Sequence, residues 1–429
     1  MRVLFAPLAG AAGVGAVTRC LAVAEQAVMR GHRVAFLAPA GYPMLGDHPL
    51  GATYAVPRPR RPATVRDGNY ATFAEALWVR GMAEPGYLDA AVTAERAAIE
   101  AFRPDVIFTE WQATLAVSAR LTGVPLVATI ATPDVTRLVG GGEEDTAFRH
   151  VQDAYAALCR AHGLEAPDCV ERLLHGGGTL NVAPTVPALE PLPATLPGTL
   201  YAGPLLFAPL ELAGAPAPPA DGVRRVVVYL SAGTVTIEDL LPELADAFPP
   251  PAHDVLVAAR EDRVGGHVLP HTFGNVTVTR TPGITRALAG ADLLVTRGGQ
   301  NSLMAAMLAG VPVVGVPGDH VEPRYNLAVL EAHGAARVLG GVPTSAELKE
   351  AAGHLAATAA AERARRLGAL LRDTPGPYGV VRAMESLASG RLGAPDRWRP
   401  PAPAPVGAGG PASADGLQPA GAPSHAAWI

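Results

Sequence analysis

The feature that most constrains this chain is an alternation: short apolar runs of strand length are each followed by a helix-length stretch and then by another apolar run. RVLFAPL (residues 2–8) leads through the glycine turn GAAGVG (10–15) into a helical pattern over 17–29, closed by Gly31 before a strand at 32–37. RPDVIFTEW (103–111) ends an apolar strand at a carboxylate, and after a helix the chain turns through Gly123-Val124-Pro125 into a strand at 126–130. The same grammar returns in VVVYLSAGT (226–234), DVLVAAR (254–260), NVTVTR (275–280), ADLLVT (291–296) and VPVVGVP (311–317). Strands alternating with helices imply parallel sheets, so the chain reads as two α/β halves. LTGVPLVAT (121–129) and LAGVPVVGV (308–316) share a phrase, though one shared phrase is not a repeat.

The expected organisation is an N-terminal domain at 1–206, a Pro/Ala-rich linker at 207–222, a C-terminal domain at 223–394 and a disordered Pro/Ala/Gly-rich tail at 395–429. A length of 429 residues suits two domains. With 17% charged residues and a net charge of −5, the chain lacks the basic field of a nucleic-acid binder, which leaves small molecules as partners. Cys20, Cys159 and Cys169 show neither disulfide nor zinc spacing, which fits a reducing cytoplasm. The N-terminal run reads as strand and loop rather than a signal peptide, and no apolar run reaches the about 20 residues of a membrane span.

The turn at Gly10, Gly13 and Gly15 has the look of a dinucleotide fingerprint. The following strand, however, ends Leu37-Ala38-Pro39 without the acid that would hold a nicotinamide ribose. Those glycines serve either a tight turn or a substrate. There is no D-x-D, H-E-x-x-H, G-x-S-x-G or Walker loop, Lys349 is the only lysine, and no metal is called for. The most informative stretch is TRGGQNSLMAAMLAGVPVVGVP (296–317), in which a strand end and two glycines open an apolar helix. Gly298, Gly299, Asn301 and Ser302 at such a helix N-terminus make a phosphate cradle, to which Arg297 adds a charge-assisted bond. The alternative is that Asn301 or Ser302 only caps the helix.

Some twenty residues further, GDHVEPRYNLAVLEAHGAA (318–336) opens another helix behind a polar loop. Together with GPL (203–205) and YLSAGT (229–234), this layout resembles the GT-B glycosyltransferases, in particular the UDP-glycosyltransferases and antibiotic-tailoring enzymes, over about residues 1–390. The resemblance implies that Gly298, Gly299, Asn301 and Ser302 hold a donor diphosphate with Gly233 and Thr234 nearby, and that Glu322 and His320 face the donor sugar. Arg297 stands where the family often has His, Ala305 where it often has Glu, and Pro323 where it tends to have Gln. Arg280, Thr281, Pro282 and Gly283 replace the residues that frame the base. On the acceptor side, with Gly15 and Trp111, the usual base position is Ala16. Glu110 is left either as the candidate base or as a carboxylate that is solvated or paired with an arginine. RPRRPATVR (58–66) suits an anionic acceptor or a solvated loop, and His267 and His271 read as loop residues.

The resemblance therefore leads to an α/β, GT-B expectation: two Rossmann-like domains with parallel sheets facing across a cleft, ligands at the carboxyl ends of the strands, and no cofactor beyond a nucleotide sugar. The expected activity is metal-independent, inverting sugar transfer to a small natural-product acceptor. A catalytically inactive homologue that supports a partner protein, and a nucleotide-sugar epimerase using His320 and Glu322, are the alternatives.

Overall fold

The computed structural model describes residues 1–391 except 10–13, 43, 46–49, 63–69, 71, 136–144, 194–195, 197, 208–218, 231–234, 260–268, 281–282 and 319–320. The chain divides into two compact units. The first comprises Met1–Pro62, Phe73–Ala202 and the chain from Pro377 onward; the second comprises Ala63–Thr72 and Gly203–Gly376.

In the first unit the order is β1 (Arg2–Ala6), α1 (Val14–Met29), β2 (Arg33–Ala38), β3 (Gly51–Ala55), α2 (Phe73–Val79), α3 (Pro85–Phe102), β4 (Val106–Thr109), α4 (Ala113–Thr122), β5 (Leu126–Thr129), α5 (Thr146–Ala161), α6 (Val170–His175), β6 (Thr179–Ala183) and β7 (Thr199–Tyr201). The second unit follows with β8 (Arg224–Tyr229), α7 (Ile237–Ala247), β9 (His253–Ala259), β10 (His271–Phe273), β11 (Val276–Arg280), α8 (Ile284–Ala287), β12 (Leu293–Thr296), α9 (Gln300–Ala309), β13 (Val313–Gly315), α10 (Val321–Ala332), β14 (Ala336–Val338), α11 (Ser345–Ala357) and α12 (Ala360–Arg372). The last helix, α13 (Gly376–Ala388), belongs with the first unit. This corrects the boundary expected at 223–394. The expected linker lies mostly, and the tail wholly, outside the described residues. His271, expected in a loop, starts β10, which pairs antiparallel with β11.

Each sheet has seven strands among the described residues, ordered β3-β2-β1-β4-β5-β6-β7 and β10-β11-β9-β8-β12-β13-β14. Both faces of a parallel sheet are covered by helices, which is why its strands read as continuous apolar runs rather than alternations. Phe5 of β1 lies in register with Phe36 and Phe108, with ring centroids 5.8 and 5.6 Å away. The phrase shared by the two halves occupies the same place in each sheet. α4 and α9 both end in a left-handed glycine, Gly123 (φ 68°) and Gly310 (φ 71°), before the strand just beyond the central pair. On α13, Glu385 accepts hydrogen bonds from Arg30 (2.8 Å) and pairs with His32 (2.8 Å), beside the Arg30 guanidinium over Tyr378. These contacts fasten the end of the described chain to the loop between α1 and β2.

A buried polar network sits between α3 and α4. Glu95, 1% exposed, accepts from Thr114 and Ser118 (2.6 Å each) and from Gln112 Nε2 (3.2 Å), while Gln112 Oε1 accepts from the Ala9 N–H (3.2 Å). Burial pushes the Glu95 carboxyl up to about 7 despite those three donors. The folded chain therefore holds this proton more tightly than the unfolded one, so the group lowers stability as pH rises from about 4.3 to about 7, with no further loss above. Glu95→Gln, which copies the neutral acid, should flatten that slope and raise stability at about pH 8 by up to a few kcal/mol. Urea midpoints at acid and alkaline pH check this; a variant retaining the wild-type slope would exclude Glu95 as its source.

Candidate active site

In both sheets the winding reverses beside the central pair of strands, β1/β4 in the first and β8/β12 in the second. At such a reversal the loops leave the strand ends in opposite directions and open a crevice, the usual ligand site of this architecture.

In the second unit, Thr296 Oγ1 at the end of β12 donates to the Tyr229 carbonyl at the end of β8 (2.9 Å). The chain then passes Arg297, Gly298 and Gly299 into α9. Gly298 sits at φ 99°, and a Cβ there would come within 2.6 Å of Leu327 Cγ and 2.8 Å of the Pro323 carbonyl. Gly315, on the neighbouring strand, is pressed by the same Leu327. These two glycines let α10 lie against the turn, with Asn326 Nδ2 donating to the Gly298 carbonyl (3.2 Å). α10 thereby delivers the half-buried Glu322 in its first turn, behind an Arg324 to Gly318 carbonyl bond (2.8 Å) that holds the preceding loop.

Gly299 is the N-cap of α9, and among the described residues a Cβ placed on it meets nothing within 4 Å. The helix behind it is apolar and buried along Leu303, Ala305, Ala306 and Met307, so solvent screens its dipole only weakly. About half a positive charge thus faces open ground beside Asn301 and Ser302. Arg297 takes a different engagement from the one its sequence position suggested. It is 2% exposed, and its guanidinium donates to the Val235 carbonyl ahead of α7. That bond ties the β12–α9 turn to the residue that precedes α7 by two positions. Arg280 is exposed at the end of β11; Gly233, Thr234, Thr281, Pro282 and His320 lie outside the described residues.

In the first unit, β4 runs into Glu110, Trp111 and Gln112. Of the two readings left open for Glu110, the structure shows the paired one. It is 1% exposed, and Arg19 on α1 grips both its oxygens, Nε to Oε1 at 2.9 Å and Nη2 to Oε2 at 2.6 Å. A helical side chain leans back toward its N-terminus, so Arg19 reaches the ground in front of the half-buried Gly15 and Ala16. A Cβ on Gly15 would lie 3.7 Å from Arg19 Nη1. Cys20 beside the pair is held as a thiol, first by burial and then by the Glu110 charge.

Trp111 adopts φ 59°, a left-handed conformation costing a bulky residue about 1–2 kcal/mol. Three contacts hold it there. Its Nε1 donates to Asp134 Oδ2 (3.0 Å), Phe73 meets the ring edge-on at 5.2 Å and 86°, and the Arg80 guanidinium lies 5.7 Å from its centroid. Phe73 and Arg80 are two turns apart and come from the same side of α2 and its end. Arg19, Arg80, Asp134 and Leu327 were not singled out by the sequence reading. Arg19 alone left a trace there, as a charge among the apolar positions Val17, Cys20 and Leu21.

No family model matches the chain. A PGL/p-HBAD biosynthesis rhamnosyltransferase of Mycobacterium bovis (strain BCG / Pasteur 1173P2) is 28% identical over 272 residues, 58% of this chain and 59% of that protein. A PGL/p-HBAD biosynthesis glycosyltransferase of Mycobacterium tuberculosis (strain ATCC 25177 / H37Ra) is 26% identical over 274 residues, 58% of this chain and 62% of that protein. The matches thus span only about three-fifths of these curated relatives. Among solved structures, the calicheamicin glycosyltransferase CalG4 superposes with a TM-score of 0.68 at 19% identity, covering 91% of this chain and 99% of that one. Spinosyn rhamnosyltransferase SpnG, complexed with thymidine diphosphate, gives 0.65 at 18%, covering 90% and 100%. At these identities the likeness is one of fold, and the fold is GT-B with two parallel-sheet α/β units. Among the described residues no helix is long and apolar enough to cross a membrane.

The two glycines of the α9 turn should separate in stability. Gly298→Ala drives a Cβ into Leu327 and the Pro323 carbonyl at an unfavourable φ, and should cost about 2–4 kcal/mol. Gly299→Ala has room and an ordinary φ, and should change stability by less than about 1 kcal/mol. Urea denaturation of the two variants checks the contrast; equal losses would mean that Gly298 is not pinned by α10.

Proposed function

We propose that this chain is a glycosyltransferase that moves a sugar from a nucleoside diphosphate to a small natural-product acceptor, with inversion and without a metal ion. The observation that carries the reading is the α9 N-terminus at the reversal of the second sheet, with open ground in front of Gly299. In an inverting displacement the acceptor oxygen attacks the anomeric carbon as the bond to the diphosphate breaks, so negative charge grows on the leaving phosphate. The α9 dipole, with Asn301 and Ser302 in the first turn of the helix, would stabilise that charge. Glu322 would face the sugar from the first turn of α10. The relatives named rhamnosyltransferase and glycosyltransferase support sugar transfer, and the structural neighbour complexed with thymidine diphosphate supports a nucleotide donor. Free thiols at Cys20, Cys159 and Cys169 suit a reducing cytoplasmic setting.

A second reading is favoured by one observation: Ala16 offers no base, and Arg19 occupies Glu110. On that reading the chain binds its ligands but supports a partner enzyme instead of turning over. Calorimetric titration of the purified protein with thymidine, uridine, guanosine and adenosine diphosphates tests the donor site. One nucleotide should bind, and Gly299→Ala, whose methyl stands where the phosphate would sit, should weaken it about tenfold, or 1.4 kcal/mol. Silence across the panel from folded protein would overturn the donor reading, while nucleotide binding without transfer to any acceptor would favour the second.

A further inference from the structure

Where a sheet reverses its winding, the two loops that part lose each other as neighbours, so whatever still ties them sets the shape of the crevice. In the first unit these are the β1–α1 connection, which leaves β1 at Ala6, and the β4–α4 connection of Glu110, Trp111 and Gln112. Gln112 ties them. It is 3% exposed, and its Oε1 accepts the Ala9 N–H (3.2 Å) while its Nε2 turns inward to the Tyr87 hydroxyl (2.9 Å), the Thr114 hydroxyl (2.8 Å) and Glu95 Oε1 (3.2 Å). A backbone N–H only donates and a carboxylate only accepts, so these two partners at opposite ends of the amide fix which way it faces.

Glu95 lies at the inner end of that chain. Its Oε1 also takes the Thr114 hydroxyl and its Oε2 the Ser118 hydroxyl (2.6 Å each), so its three donors are all neutral. Tyr87 on α3 and Tyr155 on α5, which feel its charge, are themselves kept as hydroxyls, first by burial. The strands β1 and β2 bring Leu4, Ala6, Ala35 and Leu37 to the same core. A glutamine at position 95 would have the same shape and would avoid burying a charge without a cation. What the carboxylate adds is the strength of its grip on Gln112, Thr114 and Ser118, because hydrogen bonds to an ionised acceptor are roughly twice as strong as neutral ones. When it gains a proton it becomes a donor itself. Thr114 or Ser118 must then reverse its hydroxyl, and Gln112 loses the ionised end that holds it.

We propose that Glu95 and Gln112 are positioning residues for the crevice of the first unit: ionised Glu95 holds the Gln112 amide, and the amide holds the start of the β1–α1 connection against the β4–α4 connection. This deepens the transferase reading, which gives that crevice to the acceptor, and rests on it for its consequence, that the acceptor side is ordered while Glu95 is charged. Both residues are buried and act through the backbone of the two connections. Since burial places the Glu95 titration near about 7, the grip tightens as pH rises through neutrality. Global stability moves the opposite way over the same range, because the same ionisation weakens the fold.

That difference in sign makes the test. Hydrogen–deuterium exchange at the Ala9 amide, read from overlapping peptides between about pH 5.5 and about pH 8.5 and corrected for the intrinsic rate, reports the local hold. In the wild-type protein Ala9 protection should rise about threefold or more through neutrality. Glu95→Gln should stay at the wild-type acid level throughout, even though its urea midpoint at alkaline pH is higher. Gln112→Met keeps the length and loses both ends of the bridge, and should lower Ala9 protection about fivefold at every pH. A merely structural network would give the reverse slope, with protection falling as pH rises in step with the urea midpoint. That slope, an unaltered rise in folded Glu95→Gln, or unchanged protection in folded Gln112→Met would each overturn the proposal. The measurement uses neither donor nor turnover, so silence in the nucleotide titration would sink the transferase reading and leave the positioning pair standing.

Discussion

Both units depend on one topological constraint. A crossover between parallel strands is right-handed, so a sheet that extends outward on both sides of its central pair must send its helices to opposite faces. Between β8 and β12, and between β1 and β4, the connecting loops part because of it. Backbone N–H groups and side chains at the strand ends are then left facing a crevice that the sheet itself cannot fill. What each unit does with that crevice is a local matter of packing.

In the second unit the local matter is how near α10 can come. Leu327 is fully buried against two glycines, one in the β12–α9 turn and one in β13. A side chain at either place would lift the helix, and with it Glu322, from the turn. The family resemblance assigned Gly298 and Gly299 to phosphate contact, and of these two Gly299 borders open ground among the described residues. Gly298 serves the packing of α10, and a ligand contact by its N–H would be additional to that role. One short motif thus holds a packing residue and a binding residue side by side.

The sequence made the sheets legible because buried parallel strands are apolar throughout and their helices end in glycine. Gly31, Gly123 and Gly310 all sit at positive φ where the reading ended a helix. The α9 turn was legible for the same reason, since two glycines before an apolar helix have few other uses. For Arg297 a sequence shows that a charge is near a turn but not which way it points, and in the structure its guanidinium donates to a backbone carbonyl. The Arg19–Glu110 pair joins residues 91 positions apart, and no local pattern announces such a contact. Arg80 was hidden similarly, its meaning depending on a tryptophan brought beside it from another strand. The return of α13 to the first unit rests on Arg30, His32 and Glu385, far apart in the chain and unremarkable singly.

The Arg19–Glu110 pair answers an electrostatic need at the end of β4. A carboxylate buried at 1% exposure needs a partner, because an isolated charge in that setting would lose several kcal/mol of solvation. Ala16 has no side chain that could share that burden, and the Arg19 guanidinium, one turn further along α1, carries it. The pair keeps the carboxylate satisfied at the end of β4, and the group that satisfies it can only donate.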